Sequence, residues 1–331
     1  MLLLHTLQQF DIELPYFFLF LGVVGVLLFF VLAALCSPLL ALKTEFLYAV
    51  RRKPFYDKCA MQLGQSSLFL LVFAGISITA AATGFFLYQA ELAPFFPVPP
   101  VAMELRPLVT AVPMGGLFLL MLLYYLLWRP LKKLRALHLF FGLLPVLGAL
   151  LVLFCGFLVV ASARQPLLFA FMWMDPLNVL HLLILDFLGS HALWYALGCL
   201  YCTGMAAAGG LAQLWLIFRR NRADYGRDYY AFAMRYCARF ALAFVVFSGI
   251  LAALFFWELK TSVPAELSQG EDPGVLLLSF CMPLLCALLW FFAAKSDTPM
   301  RHKPGAIFAC LFLFVALCGQ MVMLVNTFPS M

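Results

Sequence analysis

The sequence predicts an all-α polytopic membrane protein. It predicts about eight transmembrane helices, both termini outside, and two four-helix-bundle-like halves. Three observations lead there. First, the 331-residue chain is 66% hydrophobic and only 11% charged, whereas a soluble domain is roughly 45–50% apolar and about 25% charged. Its mean hydropathy is +1.03. Second, the apolar stretches are long and continuous, unlike the alternating segments of about ten residues in an outer-membrane barrel. Only helices and closed barrels satisfy their backbone in lipid. Third, basic residues gather in alternate loops, which orients every helix. A single transmembrane domain over residues 1–331 accounts for the length, and no soluble domain is expected.

A crossing needs about 20 apolar residues, and eight spans follow. The first, about 14–43, begins after the acidic Asp11-Ile12-Glu13. It is too long and too acidic at its start for a cleavable signal peptide. The second, about 62–90, follows a loop holding Lys43, Arg51, Arg52, Lys53 and Lys58. The third, about 107–128, follows a Pro-rich loop with Pro94, Pro97, Pro99 and Pro100. The fourth, about 136–162, follows Arg129, Lys132, Lys133 and Arg135. The fifth, about 187–218, is preceded by an apolar stretch, 166–186, too long to belong to the same crossing. A short interfacial or re-entrant helix is expected there, with Trp173 at the membrane surface. The sixth, about 231–257, follows Arg219, Arg220, Arg222 and Arg227. The seventh, about 274–294, follows an acidic loop with Glu258, Glu266, Glu271 and Asp272. The eighth, about 305–327, follows Lys295, Arg301 and Lys303.

With Arg235, the 1–2, 3–4, 5–6 and 7–8 connections hold seventeen of the 21 Lys and Arg. By the positive-inside rule these loops face the cytoplasm. The net charge of +6 therefore faces lipid headgroups rather than nucleic acid. A multi-pass protein of a bacterial or archaeal cytoplasmic membrane is expected, with membrane lipid as its first partner.

The ten cysteines fall almost entirely in apolar runs and read as small buried hydrophobes. Cys199-Leu-Tyr-Cys202 is followed by Thr203, which departs from the CxxCH signature of covalent haem.

Five histidines are present. His5, His138 and His302 read as loop or packing residues. His181 and His191 lie in the long fifth apolar region. Imidazole in a membrane bundle needs a partner and is a common haem ligand. The two are ten residues apart, about 80° around a straight helix, so they do not share a face. Met282, in Ser279-Phe-Cys-Met282-Pro283, offers a thioether, another known axial ligand. Glu104, Arg106, Asp186 and Arg239 are charges within or near the membrane, which mark functional positions by default. Arg106 and Arg164 suit haem propionates, or Arg106 simply pairs with Glu104. Glu258, Lys260 and Glu266 suit quinol and proton handling near the outer surface. A solvated polar loop has the same composition.

Several segments resemble subunit I of the cytochrome bd quinol oxidases in shortened form. Lys43-Thr-Glu-Phe-Leu-Tyr-Ala-Val-Arg-Arg-Lys-Pro-Phe-Tyr-Asp-Lys58 is similar to the stretch after that family's first span. Val101-Ala-Met-Glu104 is similar to its proton-channel segment. Leu134–His138 and Leu158–Pro166 are similar to its fourth helix and the stretch that follows. Asp175-Pro176, Lys260 with Glu266, and Ser279–Met282 are similar to further segments in the same order. The resemblance covers about residues 14–290. It implies one low-spin haem b on His191 and Met282, with His181 as the fallback ligand. The departures are equally specific. Residues 14–43 hold no His for a high-spin haem. A second channel glutamate is missing near Val112. The quinol loop is short, and the spans number eight rather than nine, as in subunit II.

The resulting expectation is a membrane electron-transfer subunit of a respiratory complex without an oxygen-reducing site. It would oxidise quinol, menaquinol included, near the outer face. It would pass electrons through the haem to a multihaem cytochrome c or an iron–sulfur protein. Two alternatives stand beside it: a haem-free quinone-binding anchor of the polysulfide-reductase type, and a haem-free structural subunit similar to subunit II. A transporter is a third, with no inverted repeat to support it.

Overall fold

The computed structural model describes residues 14–87, 100–164, 191–222, 225–262 and 273–327. These form eight long helices and two short 3-10 turns, and no strand is found among the described residues. The helices are α1 (Leu14–Arg51), α2 (Pro54–Leu87), α3 (Pro100–Leu126), α4 (Arg135–Arg164), α5 (His191–Arg219), α6 (Arg227–Ser262), α7 (Pro273–Lys295) and α8 (Lys303–Thr327). Seven are long and apolar enough to cross a membrane. In α3 the described apolar stretch is the shorter Val112–Leu126. The protein is an all-α polytopic membrane protein, as its composition predicts.

Proline punctuates the helices in both of its tolerated ways. Pro54, Pro100 and Pro273 open helices, where the missing N–H costs nothing. Pro38 lies inside α1 and frees the carbonyl of Ala34. Ser37 Oγ donates to that carbonyl at 2.9 Å, so the ladder is repaired locally. Arg52 takes a left-handed φ of 56° and turns the chain sharply into α2.

The helices pack as two rings. In the first, α1 packs on α2, α2 on α3, α3 on α4, and α4 returns to α1. In the second, α5 packs on α6, α6 on α7, α7 on α8, and α8 returns to α5. α1 joins the rings by packing on α5 and α8. The first core cluster runs across α1, α2, α3, α4, α5 and α6, and the second across α1, α5, α6, α7 and α8. Close backbone approach seals the joint. A Cβ on Gly204 of α5 would meet the Leu32 carbonyl of α1 at 3.0 Å. Within the second ring, a Cβ on Gly209 would likewise meet the Ala241 nitrogen of α6 at 3.1 Å.

Several helices outrun their expected spans. α1 has 38 residues, α6 has 36 and α2 has 34. At 1.5 Å per residue, 38 residues reach about 57 Å, and a bilayer's hydrocarbon is about 30 Å thick. The excess lies at the end carrying the basic loops. There α1 continues to Arg51, α2 starts at Pro54 and α6 starts at Arg227. Hydropathy marks only the apolar part of such a helix, so the expected boundaries 43, 62 and 231 fall short. The expected interfacial segment at 166–186 lies outside the described residues.

Candidate functional site

At the basic end of the first ring four helices bring charged groups together. Glu45 stands on α1, Asp57 in the first turn of α2, Tyr124 near the end of α3, and Arg135 and His138 in the first turns of α4. Glu45 is fully buried and His138 is 2% exposed. Such burial is tolerated only with full pairing, and the pairing is extensive. His138 Nδ1 lies 2.5 Å from Glu45 Oε1. Tyr124 Oη donates to Glu45 Oε2 at 2.6 Å. Arg135 Nη1 is 3.6 Å from Glu45 Oε1, and its Nη2 donates to Asp57 Oδ1 at 2.7 Å.

The second nitrogen of His138 determines what the site does. Nε2 lies 3.1 Å from the backbone carbonyl of Tyr124. In a continuing helix that carbonyl would receive the N–H of Trp128. Here Trp128 N–H donates to Tyr125 O instead, so the helix end leaves the Tyr124 carbonyl open. A carbonyl only accepts, so Nε2 carries a hydrogen. Nδ1 faces a carboxylate. One proton must therefore lie between Nδ1 and Oε1, with either an imidazolium–carboxylate pair or a neutral imidazole–carboxylic acid pair around it. The array can hold a proton and shift it along a Tyr124–Glu45–His138 chain.

Aromatic rings wall the array. His138 tilts over Tyr124, with centroids 4.7 Å apart, and meets Trp128 edge-on at 4.8 Å. The Arg135 guanidinium lies 4.4 Å above the Tyr48 ring. Gly142, one turn beyond His138, permits the approach. A Cβ there would meet Leu42 Cδ1 and Tyr124 Cε2 at 2.8 Å each. With Glu45, Asp57, Arg135 and His138 all charged, the array is neutral overall, which lowers the cost of burying it.

The second ring contains a different polar cluster. Thr203 Oγ1 and Ser248 Oγ are 2.6 Å apart, and Thr203 Oγ1 donates to Gln320 Oε1 at 3.1 Å. Cys199 Sγ lies 3.6 Å from Ser248 Oγ. Nearer the basic end, Trp290 Nε1 donates to Gln213 Oε1 at 3.0 Å, and Gln213 Nε2 donates to the Met234 carbonyl.

These contacts set the relative levels of the expected haem ligands. Trp290 of α7 meets Gln213 and the space at Gly210 on α5, which sets the register of two helices running the same way. Met282 precedes Trp290 by eight residues and is therefore level with about Cys202. His191, exposed at the start of α5, is eleven residues further out, about 17 Å at the helical rise. By this register His191 and Met282 start from different levels of the two helices. The spacing along each helix was legible in the sequence, and the register between helices was not.

The other expected residues divide between two places. Glu104 and Arg106 fall on α3, Arg164 ends α4, and Lys260 lies near the end of α6, all with side chains outside the described set. Glu258 is half-buried on α6. His181 and Glu266 lie outside the described residues. Among the described residues, no group of three or more His, Cys, Asp and Glu is placed to hold a metal ion.

His138, read from the sequence as a packing residue, is the centre of the array. Glu45 carried no role of its own. The available signal was positional: each ionisable residue sits at the basic end of an apolar span, and the parity of the spans puts both at the same end. Comparison with protein-family models, with curated proteins and with solved structures finds no match.

Proposed function

We propose that the chain is the haem-free, quinone-binding membrane subunit of an electron-transfer complex. Its proton handling centres on Glu45 and His138. The observation that carries this reading is the 2.5 Å contact of His138 Nδ1 with Glu45 Oε1, two fully paired, buried groups at the basic end of the first ring. Quinone reduction consumes protons and quinol oxidation releases them, so a quinone site needs a nearby acid–base pair. Arg135 and Asp57 are 18% and 23% exposed at their side chains, and Glu45 is at 0%. They lead from water to the buried pair. Glu45 also falls in the Lys43–Lys58 segment that is similar to the cytochrome bd quinol oxidases. Electrons pass to or from a redox partner subunit, because the chain's own loops are short.

A second reading has its own support. Both carboxylate oxygens of Glu45 and both ring nitrogens of His138 have partners within the chain, as in a structural clamp. Quinone titration of the purified chain in nanodiscs separates the two, with tryptophan fluorescence as the signal. Trp128 reports directly, being 4.8 Å from His138. Saturable quenching by a menaquinone analogue is expected, lost in Trp128→Phe and weakened about tenfold in Glu45→Gln. Unsaturable quenching that ignores both substitutions sinks the quinone reading and leaves the clamp. A visible spectrum of the same sample with one b-type haem per chain would refute the haem-free assignment.

A further inference from the structure

A different set of polar groups faces the lipid between α2 and α5. Gln65, Phe69, Val72 and Ile76 recur at helical spacing along α2 and form one stripe. Its apolar members are open to the membrane, Phe69 at 58% and Ile76 at 64%. Gln65 closes the stripe at the basic end and links three helices. Its Nε2 donates to Tyr125 Oη of α3 at 2.7 Å, and its Oε1 accepts from Arg219 Nη2 of α5 at 2.5 Å. The Arg219 guanidinium lies 5.3 Å over the Trp215 ring, and that ring stacks at 5.6 Å on Phe69.

Two donors here lack acceptors. Trp215 Nε1 and Arg219 Nε are buried and donate to nothing among the described residues. No carboxylate among the described residues is in ion-pair contact with Arg219. An unmet buried donor is costly, more so on a charged group. Tyr125 Oη accepts from Gln65, which leaves its own hydrogen to donate. Arg219 ends an apolar span, where headgroups lie. Arg220 and Arg222 are exposed in the turn beyond it and favour a headgroup of net negative charge.

We propose that this is a binding site for an anionic phospholipid. The phosphate takes hydrogen bonds from Arg219, Trp215 and Tyr125, and Gln65 holds Arg219 in place. An acyl chain runs along Phe69, Val72 and Ile76.

Native mass spectrometry of the detergent-purified chain with added phosphatidylglycerol tests the site. Wild type is expected to retain one phosphatidylglycerol in preference to phosphatidylcholine. Arg219→Gln is expected to weaken retention at least about tenfold. Trp215→Phe, which keeps a stacking ring but loses the N–H, is expected to weaken it about threefold. Thermal unfolding checks that both variants fold. Glycerol 3-phosphate is expected not to compete. Competition by it would make the site one for a free anion and overturn the proposal. Equal retention of the two lipids, or equal retention by wild type and Arg219→Gln, would overturn it as well.

Discussion

In the first ring Glu45, Asp57, Arg135 and His138 meet across three helices and carry formal charge. In the second, Thr203, Ser248 and Gln320 also meet across three helices, and none is ionisable in the ordinary range. The two clusters differ in depth. The charged one sits where α1, α2 and α6 run past the length a bilayer needs, beside the basic loops. The neutral one lies further toward the opposite face, where Thr203 is twelve residues into α5 from His191. The difference follows from dielectric. Charge in the hydrocarbon costs several kcal/mol, whereas neutral hydrogen bonds between helices each contribute about 0.6 kcal/mol on average. Ionisable groups therefore stand near the water that solvates charge, and neutral groups hold the helices deeper in the membrane.

The sharpest way to break this contrast is to unbalance the charged cluster. His138→Ala leaves Glu45 buried with its carboxylate only partly compensated, and removing one partner of a buried ion pair costs about 3–5 kcal/mol. Thermal unfolding in detergent should show a larger drop for it than for any single substitution in the second ring. Adding Glu45→Gln to His138→Ala should recover part of the loss, because the orphaned charge goes with it. A double variant no better than the single one would mean that His138 contributes packing alone.

Within the second ring, the contact between α5 and α6 depends on small residues rather than charge. At Gly209 a Cβ would meet the Ala241 nitrogen at 3.1 Å and the Cys237 carbonyl at 3.2 Å. Both are backbone atoms of α6, which cannot turn aside. Gly209→Val should cost about 1–3 kcal/mol by overpacking, read as a lowered unfolding temperature. Quinone quenching at Trp128 should persist, because the array lies in the other ring. Loss of that quenching along with the stability would show that the two rings act as one unit.

What the sequence revealed follows the same division. Eight helices, their order and the basic end were legible, because hydropathy and the alternation of Lys and Arg are properties of the chain read in line. Arg51, Arg129, Arg220 and Lys295 mark the same end without any knowledge of packing. The Glu45–His138 pair was not legible, because 93 positions separate the two residues and their meeting depends on Gly142, which lets α4 close on α1 and α3. The relative level of His191 and Met282 was not legible either. Each residue type suited haem, and only the Trp290–Gln213 register shows how far apart along the axis they stand.

The smallest expected effect belongs to the neutral cluster and sharpens the comparison most. Thr203→Val removes the hydroxyl that bonds both Ser248 and Gln320 and keeps the β-branched shape. Thr203 itself is 1% exposed, so water does not replace it. Ser248 Oγ still has the Cys199 carbonyl at 3.4 Å and Gln320 Nε2 at 3.5 Å, so only Gln320 Oε1 loses its donor. The cost should therefore be near the membrane average of about 0.6 kcal/mol, and below about 1.7 kcal/mol. The measurement is the shift in unfolding temperature beside that of His138→Ala. A Thr203→Val loss as large as the His138→Ala loss would mean that the neutral cluster carries more than helix packing. In that case the division of labour between the rings would not hold.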